Sequence, residues 1–92
     1  MITVENVRTY KGKSVYIGRG SPFGNPFHIG KDGDRDEVIK KYRRFFSDRM
    51  VVDPAFEKEV NNIAKDAVLT CYCKPSACHG DIIKEYLDKK YE

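Results

Sequence analysis

Between Gly18 and Gly33 the chain carries five of its seven glycines and two of its four prolines, and no helix or strand survives that density. The segment must be a long loop, dividing a β-rich beginning from a largely helical remainder. Loops of this length without structure of their own are functional or disordered. Phe23, Phe27 and Ile29 give this one apolar anchors, which favours order.

On the N-terminal side, Ile2, Val4 and Asn6 alternate within Ile2 to Val7, the period of a strand. Lys11-Gly12-Lys13 marks a turn, and Ser14 to Gly18 reads as a short buried strand. Beyond the loop, Asp34 with Glu37 three residues on forms the two halves of a capping box, so a helix starts there. Val38, Ile39, Tyr42, Phe45 and Phe46 recur on one face of it, with Lys40, Lys41, Arg43 and Arg44 on the others. The basic residues read as a solvated surface. Asp53-Pro54 opens a second helix, with Phe56, Val60, Ile63, Ala64 and Ala67 as its stripe. Val68 to Cys73 predicts a third strand, and Cys78 to Tyr91 a last helix that buries Ile82, Ile83, Tyr86 and Leu87. The order β-β-α-α-β-α predicts a small α/β fold, a sheet flanked by helices; whether the strands run parallel stays open.

With 92 residues there is room for one domain, 1–92, and one modest core. The 40% hydrophobic content argues against disorder. No apolar run approaches the roughly 20 residues needed to span a membrane, and no basic-then-apolar leader precedes Thr3. All three cysteines fall within eight positions, unlike the even, spread set of a secreted disulfide scaffold. A cytoplasmic protein with reduced thiols is the expectation. The net charge of +3 could help attract an anionic ligand and is too small to argue for nucleic acid.

The richest segment runs Leu69-Thr70-Cys71-Tyr72-Cys73-Lys74-Pro75-Ser76-Ala77-Cys78-His79-Gly80-Asp81. It takes a strand through a tight turn into a helix, and ligands of open α/β sheets bind beyond the carboxyl ends of strands. The unpaired N–H groups of a helix start favour an anion and lower the pKa of a thiol placed there, Cys78, beside His79. Cys71 reads as core, because free cysteine is among the most buried residue types. Zinc held by Cys71, Cys73, Cys78 and His79 is the rival reading. Its spacing is poor, since structural sites use C-x₂₋₄-C knuckles with a distant second pair. Cys78 and His79, adjacent on a helix, would also point about 100° apart. No cofactor is therefore expected.

In the glycine-rich segment, Gly18, Gly20 and Gly24 let backbone N–H groups approach a ligand. Arg19 offers a planar fork for phosphate or carboxylate, Asn25 a paired donor and acceptor, and Ser21 a hydroxyl. Phe23 or Phe27 could stack on a ring. There is no Gly-Lys-Ser/Thr, and Gly18-x-Gly20-x-x-x-Gly24 has one residue too many for a dinucleotide fingerprint.

Taken together, Tyr16-Ile17-Gly18-Arg19, Ser21-Pro22-Phe23-Gly24-Asn25-Pro26-Phe27, Tyr42-Arg43 and Leu69-x-Cys71-Tyr72-Cys73-x-Pro75-x-x-Cys78-His79-Gly80-Asp81 resemble the uncharacterised domain family numbered 4326 among the domains of unknown function. The family often has tryptophan between its first two cysteines and proline after the arginine; Tyr72 and Gly20 stand here. The last third is also similar to uncharacterised family 488, a strand running into Cys-x-Glu-x₄-Cys-His-Arg. Cys71, Cys78 and His79 match it, whereas Cys73 replaces the glutamate and Gly80 the arginine. Neither family carries an established reaction. The first resemblance implies a phage or bacterial origin, and for a phage protein action in the host cytoplasm.

Two segments are thus expected to form one pocket for a small anionic, nucleotide-like ligand, from Gly18, Arg19, Gly20, Ser21, Phe23, Gly24 and Asn25 with Cys73, Cys78, His79 and Gly80. The sharpest version is a phage protein that sequesters a signalling nucleotide or counters host defence. An enzyme is the alternative, with Cys78 as nucleophile or His79 as acid/base and Asp81 orienting the imidazole. A third reading is a protein–protein inhibitor acting through the basic helix. A homo-oligomer is compatible with all three.

Overall fold

A computed structural model of the chain describes residues 1–74 and 76–92. Among these, three short strands form one sheet, β1 (Thr3–Asn6), β2 (Val15–Tyr16) and β3 (Val68–Cys71), in the order β1-β3-β2. Both pairings are parallel, with Val4 and Val15 each opposite Leu69 and Asn6 opposite Cys71. The central strand is the last in sequence, and Leu69, Thr70 and Cys71 are all but inaccessible on it. A parallel strand covered on both sides reads as a continuous buried run, and this one does.

The second strand is shorter than Ser14 to Gly18, although Ile17 extends the ladder by donating its N–H to Thr70 O at 2.9 Å. The third ends at Cys71, not Cys73, because the chain beyond is drawn toward β1. Asn6 Nδ2 donates to Lys74 O at 2.6 Å, so a residue of the first strand holds the thiol-rich turn.

Helix α1 (Arg35–Val52) begins with a complete capping box between Asp34 and Glu37, and buries Val38, Tyr42 and Phe46. Helix α2 (Pro54–Asn61) is capped by Asp53, whose carboxylate accepts from Phe56 N. It ends earlier than its apolar stripe. Ile63 is still buried, but past the helix end, while Ala64 is exposed. Helix α3 (Gly80–Lys90) starts two residues later than Cys78 and buries Ile82, Ile83 and Leu87. It packs on β1 and β3, α1 packs on α3, and α2 on α1. No helix among the described residues is long and apolar enough to cross a membrane.

At Gly80, α3 meets the sheet at its closest. A Cβ there would lie 2.5 Å from Ile17 Cδ1 and 3.1 Å from Val4 Cγ1. Ile17 is fully buried. Gly80→Ala is expected to cost about 1–3 kcal/mol through overpacking, read as a lower midpoint in urea denaturation. An unchanged midpoint would mean that the helix start can lift off the sheet freely.

Candidate functional site

Beyond the carboxyl ends of β2 and β3 lies a cavity of about 430 Å³. Its walls come from three places that sequence distance separates. The glycine-rich loop supplies Gly18, Arg19, Asn25, Phe27, His28 and Ile29; the start of α1 supplies Arg35, Val38 and Ile39; the thiol-rich turn supplies Cys71, Tyr72, Cys73, Ala77, Cys78 and His79. Tyr16 closes one side and meets Tyr72 edge-on, with ring centroids 6.1 Å apart.

Several expected ligand contacts have other work. Phe23 is buried in the core against Phe56 and does not line the cavity. Ser21 Oγ donates to Gly18 O at 2.7 Å, folding the loop on itself. Gly24 is there for close approach, since a Cβ would sit 3.0 Å from Gly18 O. Gly20, at φ +90°, is a turn residue, and Gly80 serves the helix–sheet contact; neither lines the cavity. Asn25 does line it, but its Oδ1 accepts from Phe27 N at 2.9 Å, an Asx turn that leaves little of the amide for a ligand.

Arg35 is the residue that sequence reading passed over. It is half-buried at the first position of α1 and donates from Nη1 to Ala77 O at 3.1 Å, which fixes its guanidinium against the thiol-rich turn. Arg19, which also lines the cavity, is exposed, with Nη1 3.4 Å from His28 Nε2. The capping box was the available signal: a helix that starts at Arg35 places that side chain beside the end of the loop.

Cys71 and Cys78 lie on the floor with their sulfurs 2.8 Å apart, and Cys73 is half-buried nearby; all three are free thiols. Cys78, expected to be the low-pKa thiol, is paired with a second thiol in place of standing alone at the helix start. Its hydrogen bond with Cys71 and its burial push its pKa up, against the Gly80 N–H that donates to it at 3.3 Å. Cys71 is the partner that gains. The bond from Cys78 pulls it down to about 6, helped by the backbone N–H groups of Cys73 and Lys74 and opposed by burial. Cys71 is therefore buried, as expected, without being inert core.

His79 is buried, with its ring edge-on to Tyr42 at 5.0 Å. Burial holds its pKa below the usual imidazole value. Its Nε2 lies 2.7 Å from Ile17 O, and a carbonyl only accepts, so Nε2 carries the proton and Nδ1 the lone pair. That Nδ1 is 3.6 Å from Cys78 Sγ, so the two side chains converge instead of diverging. They precede α3, with His79 as its N-cap residue, and the bond to Ile17 O turns the ring so that Nδ1 faces the sulfur. Asp81 does not orient the imidazole, a role that falls to Ile17 O. Its carboxylate accepts from Lys74 Nζ at 2.8 Å and from Cys78 N at 3.2 Å. The N–H groups of Cys78 and Gly80 are thus already engaged by the protein, and the start of α3 is not an open anion seat. Pro75 of the motif lies outside the described residues.

A parallel three-stranded sheet with a half-open, thiol-floored, arginine-rimmed cavity at its carboxyl edge defines a small α/β domain. The chain belongs to the family described as Domain of unknown function (DUF4326), which matches residues 3–89. It is 32% identical over 88 residues to an uncharacterized 12.4 kDa protein in the nrdA-td intergenic region of Enterobacteria phage T4, covering 94% of this chain and 79% of that one. No solved structure matches it.

Proposed function

We propose that the domain binds a small anionic, nucleotide-like ligand in the 430 Å³ cavity. The observation that carries this reading is the placement of two guanidinium groups, Arg19 and Arg35, on the rim of a chamber walled by Phe27, Ile29, Val38, Ile39 and Tyr72. Flat apolar walls suit a ring, and a planar fork suits phosphate or carboxylate. The volume sits in the lower part of the roughly 300–1,000 Å³ range of small-molecule sites, which favours a mononucleotide over a dinucleotide. Negative charge is held by the two arginines and not by the start of α3. This recognition uses protein groups alone and needs no cofactor.

A larger, more open groove of about 700 Å³ runs along α3, but its walls include the Lys84–Asp88 ion pair and, of the two motifs, Asp81 alone. The enzyme alternative loses support where Cys78 shares its proton with Cys71 and Asp81 turns to Lys74. The inhibitor alternative rests on a basic face that stays exposed but is partly engaged within the chain. Arg43 is engaged by Glu85 through two bonds, and Lys41 Nζ donates to Asp32 O at 2.6 Å, bracing the loop. A relative encoded by a phage supports a role in the host cytoplasm, where such a binder would sequester a signalling nucleotide or blunt a nucleotide-signalled defence.

The test is calorimetry with a panel of nucleoside monophosphates and their parent nucleosides. At least one phosphorylated member is expected to bind about tenfold or more tighter than its nucleoside, the scale of one charge-assisted hydrogen bond. Binding that ignores the phosphate, or none across the panel, would sink the reading.

A further inference from the structure

The sulfurs of Cys71, Cys73 and Cys78 all lie within 4.8 Å of one another, a set that includes neither His79 nor any carboxylate. We propose that these three thiols form a binding site for one zinc-type ion on the cavity floor, with His79 Nδ1 as the nearest fourth donor. Two independent features point to a metal as occupant. First, the imidazole is arranged as a ligand. Its Nε2–H is fixed on Ile17 O at 2.7 Å, the outer-shell bond that metal-binding histidines make, and this aims the Nδ1 lone pair toward Cys78 Sγ. The 3.6 Å between those atoms equals the edge of a tetrahedron with Zn–S about 2.3 Å and Zn–N about 2.0–2.1 Å. Second, the floor carries a donor suited to a thiolate. Gly80 N–H points at Cys78 Sγ at 3.3 Å.

Binding moves no electrons. Each thiol still protonated releases its proton to solvent as its sulfur takes the ion. Cys71 and Cys78, 2.8 Å apart, must part by about 1 Å to reach the sulfur–sulfur edge of about 3.8 Å that Zn–S bonds of about 2.3 Å require. Both residues line the 430 Å³ cavity, so open space lies beside the pair for this movement.

The probe is the metal alone, so the outcome is independent of any nucleotide. Reduced, metal-free protein is titrated with cobalt(II) and then zinc(II), followed by absorption spectroscopy and native mass spectrometry. One ion per chain is expected, with a thiolate-to-cobalt charge-transfer band and tetrahedral d–d absorption that one equivalent of zinc abolishes. Cys73→Ser changes the most accessible thiol and leaves the buried pair intact, so the domain keeps its circular dichroism. It is expected to lower zinc affinity at least about tenfold, since even outer-shell changes cost that much. Absence of uptake, a spectrum without the thiolate band, or uptake unchanged in Cys73→Ser would each overturn the proposal.

Discussion

Truncating Tyr42 to alanine is expected to remove about 3–5 kcal/mol of folding stability, the range for emptying a large aromatic site in a core. Tyr42 is fully buried, with ring centroids 5.7 Å from Phe45, 6.0 Å from Phe46 and 5.0 Å from His79. Its hydroxyl donates to Phe23 O at 2.9 Å, tying the glycine-rich loop to α1. One side chain thus joins the loop, the first helix and the thiol-rich turn. Domains of this kind have about 5–15 kcal/mol in total, so the alanine variant sits at the edge of unfolding. Tyr42→Phe keeps the ring and leaves a buried carbonyl unpaired, at a cost of about 1–3 kcal/mol. Urea denaturation of both variants measures the difference. An alanine variant as stable as the native protein would show that the loop and α1 are not joined through this residue.

The second large effect falls on binding. Arg35→Ala is expected to weaken a nucleoside monophosphate that binds the native domain about tenfold to a hundredfold, for a charged hydrogen bond worth about 1.5–3 kcal/mol. Arg19→Ala should lose less, because Arg19 is exposed and must be ordered by the ligand, whereas Ala77 O already holds Arg35. Lys40→Ala, an exposed charge on α1 outside the cavity lining, should change affinity by less than about twofold. Calorimetry gives all three values. Equal losses from the three substitutions would replace the cavity with a diffuse basic surface.

Much of the fold was legible because local chemistry determined it. Asp34 with Glu37 announces a helix by the donors the pair satisfies, and Asp53 with Pro54 by one donor satisfied and one removed; the structure uses both pairs so. The spacing of Val38, Tyr42 and Phe46 named the buried face of α1. Element ends were less legible, since they depend on partners far away in sequence. The strand stops at Cys71 because Asn6 captures the carbonyl of Lys74, and no local property of Tyr72 or Cys73 encodes that. The thiol-rich turn shows the same limit more sharply. Treating Cys78 and His79 as helical separated their side chains and gave Cys78 the lowered pKa. In the fold they precede α3, where Asp81 occupies the N–H of Cys78 and Ile17 O turns the imidazole back toward the sulfur. Arg35 escaped notice for a related reason. A basic residue at a helix start reads as surface until the turn it touches, 42 positions away, is brought beside it.

The glycine-rich loop and the thiol-rich turn are proposed to make one ligand site. Titrating ¹⁵N-labelled protein with the tightest-binding nucleoside monophosphate, and following every amide, tests it most directly. Shifts are expected to concentrate together in Gly18 to Ile29, in Arg35 to Ile39 and in Tyr72 to His79, with the outer face of α1 around Arg44 and Asp48 unmoved. Shifts confined to one of the two motifs, or spread along the basic face of α1, would contradict it.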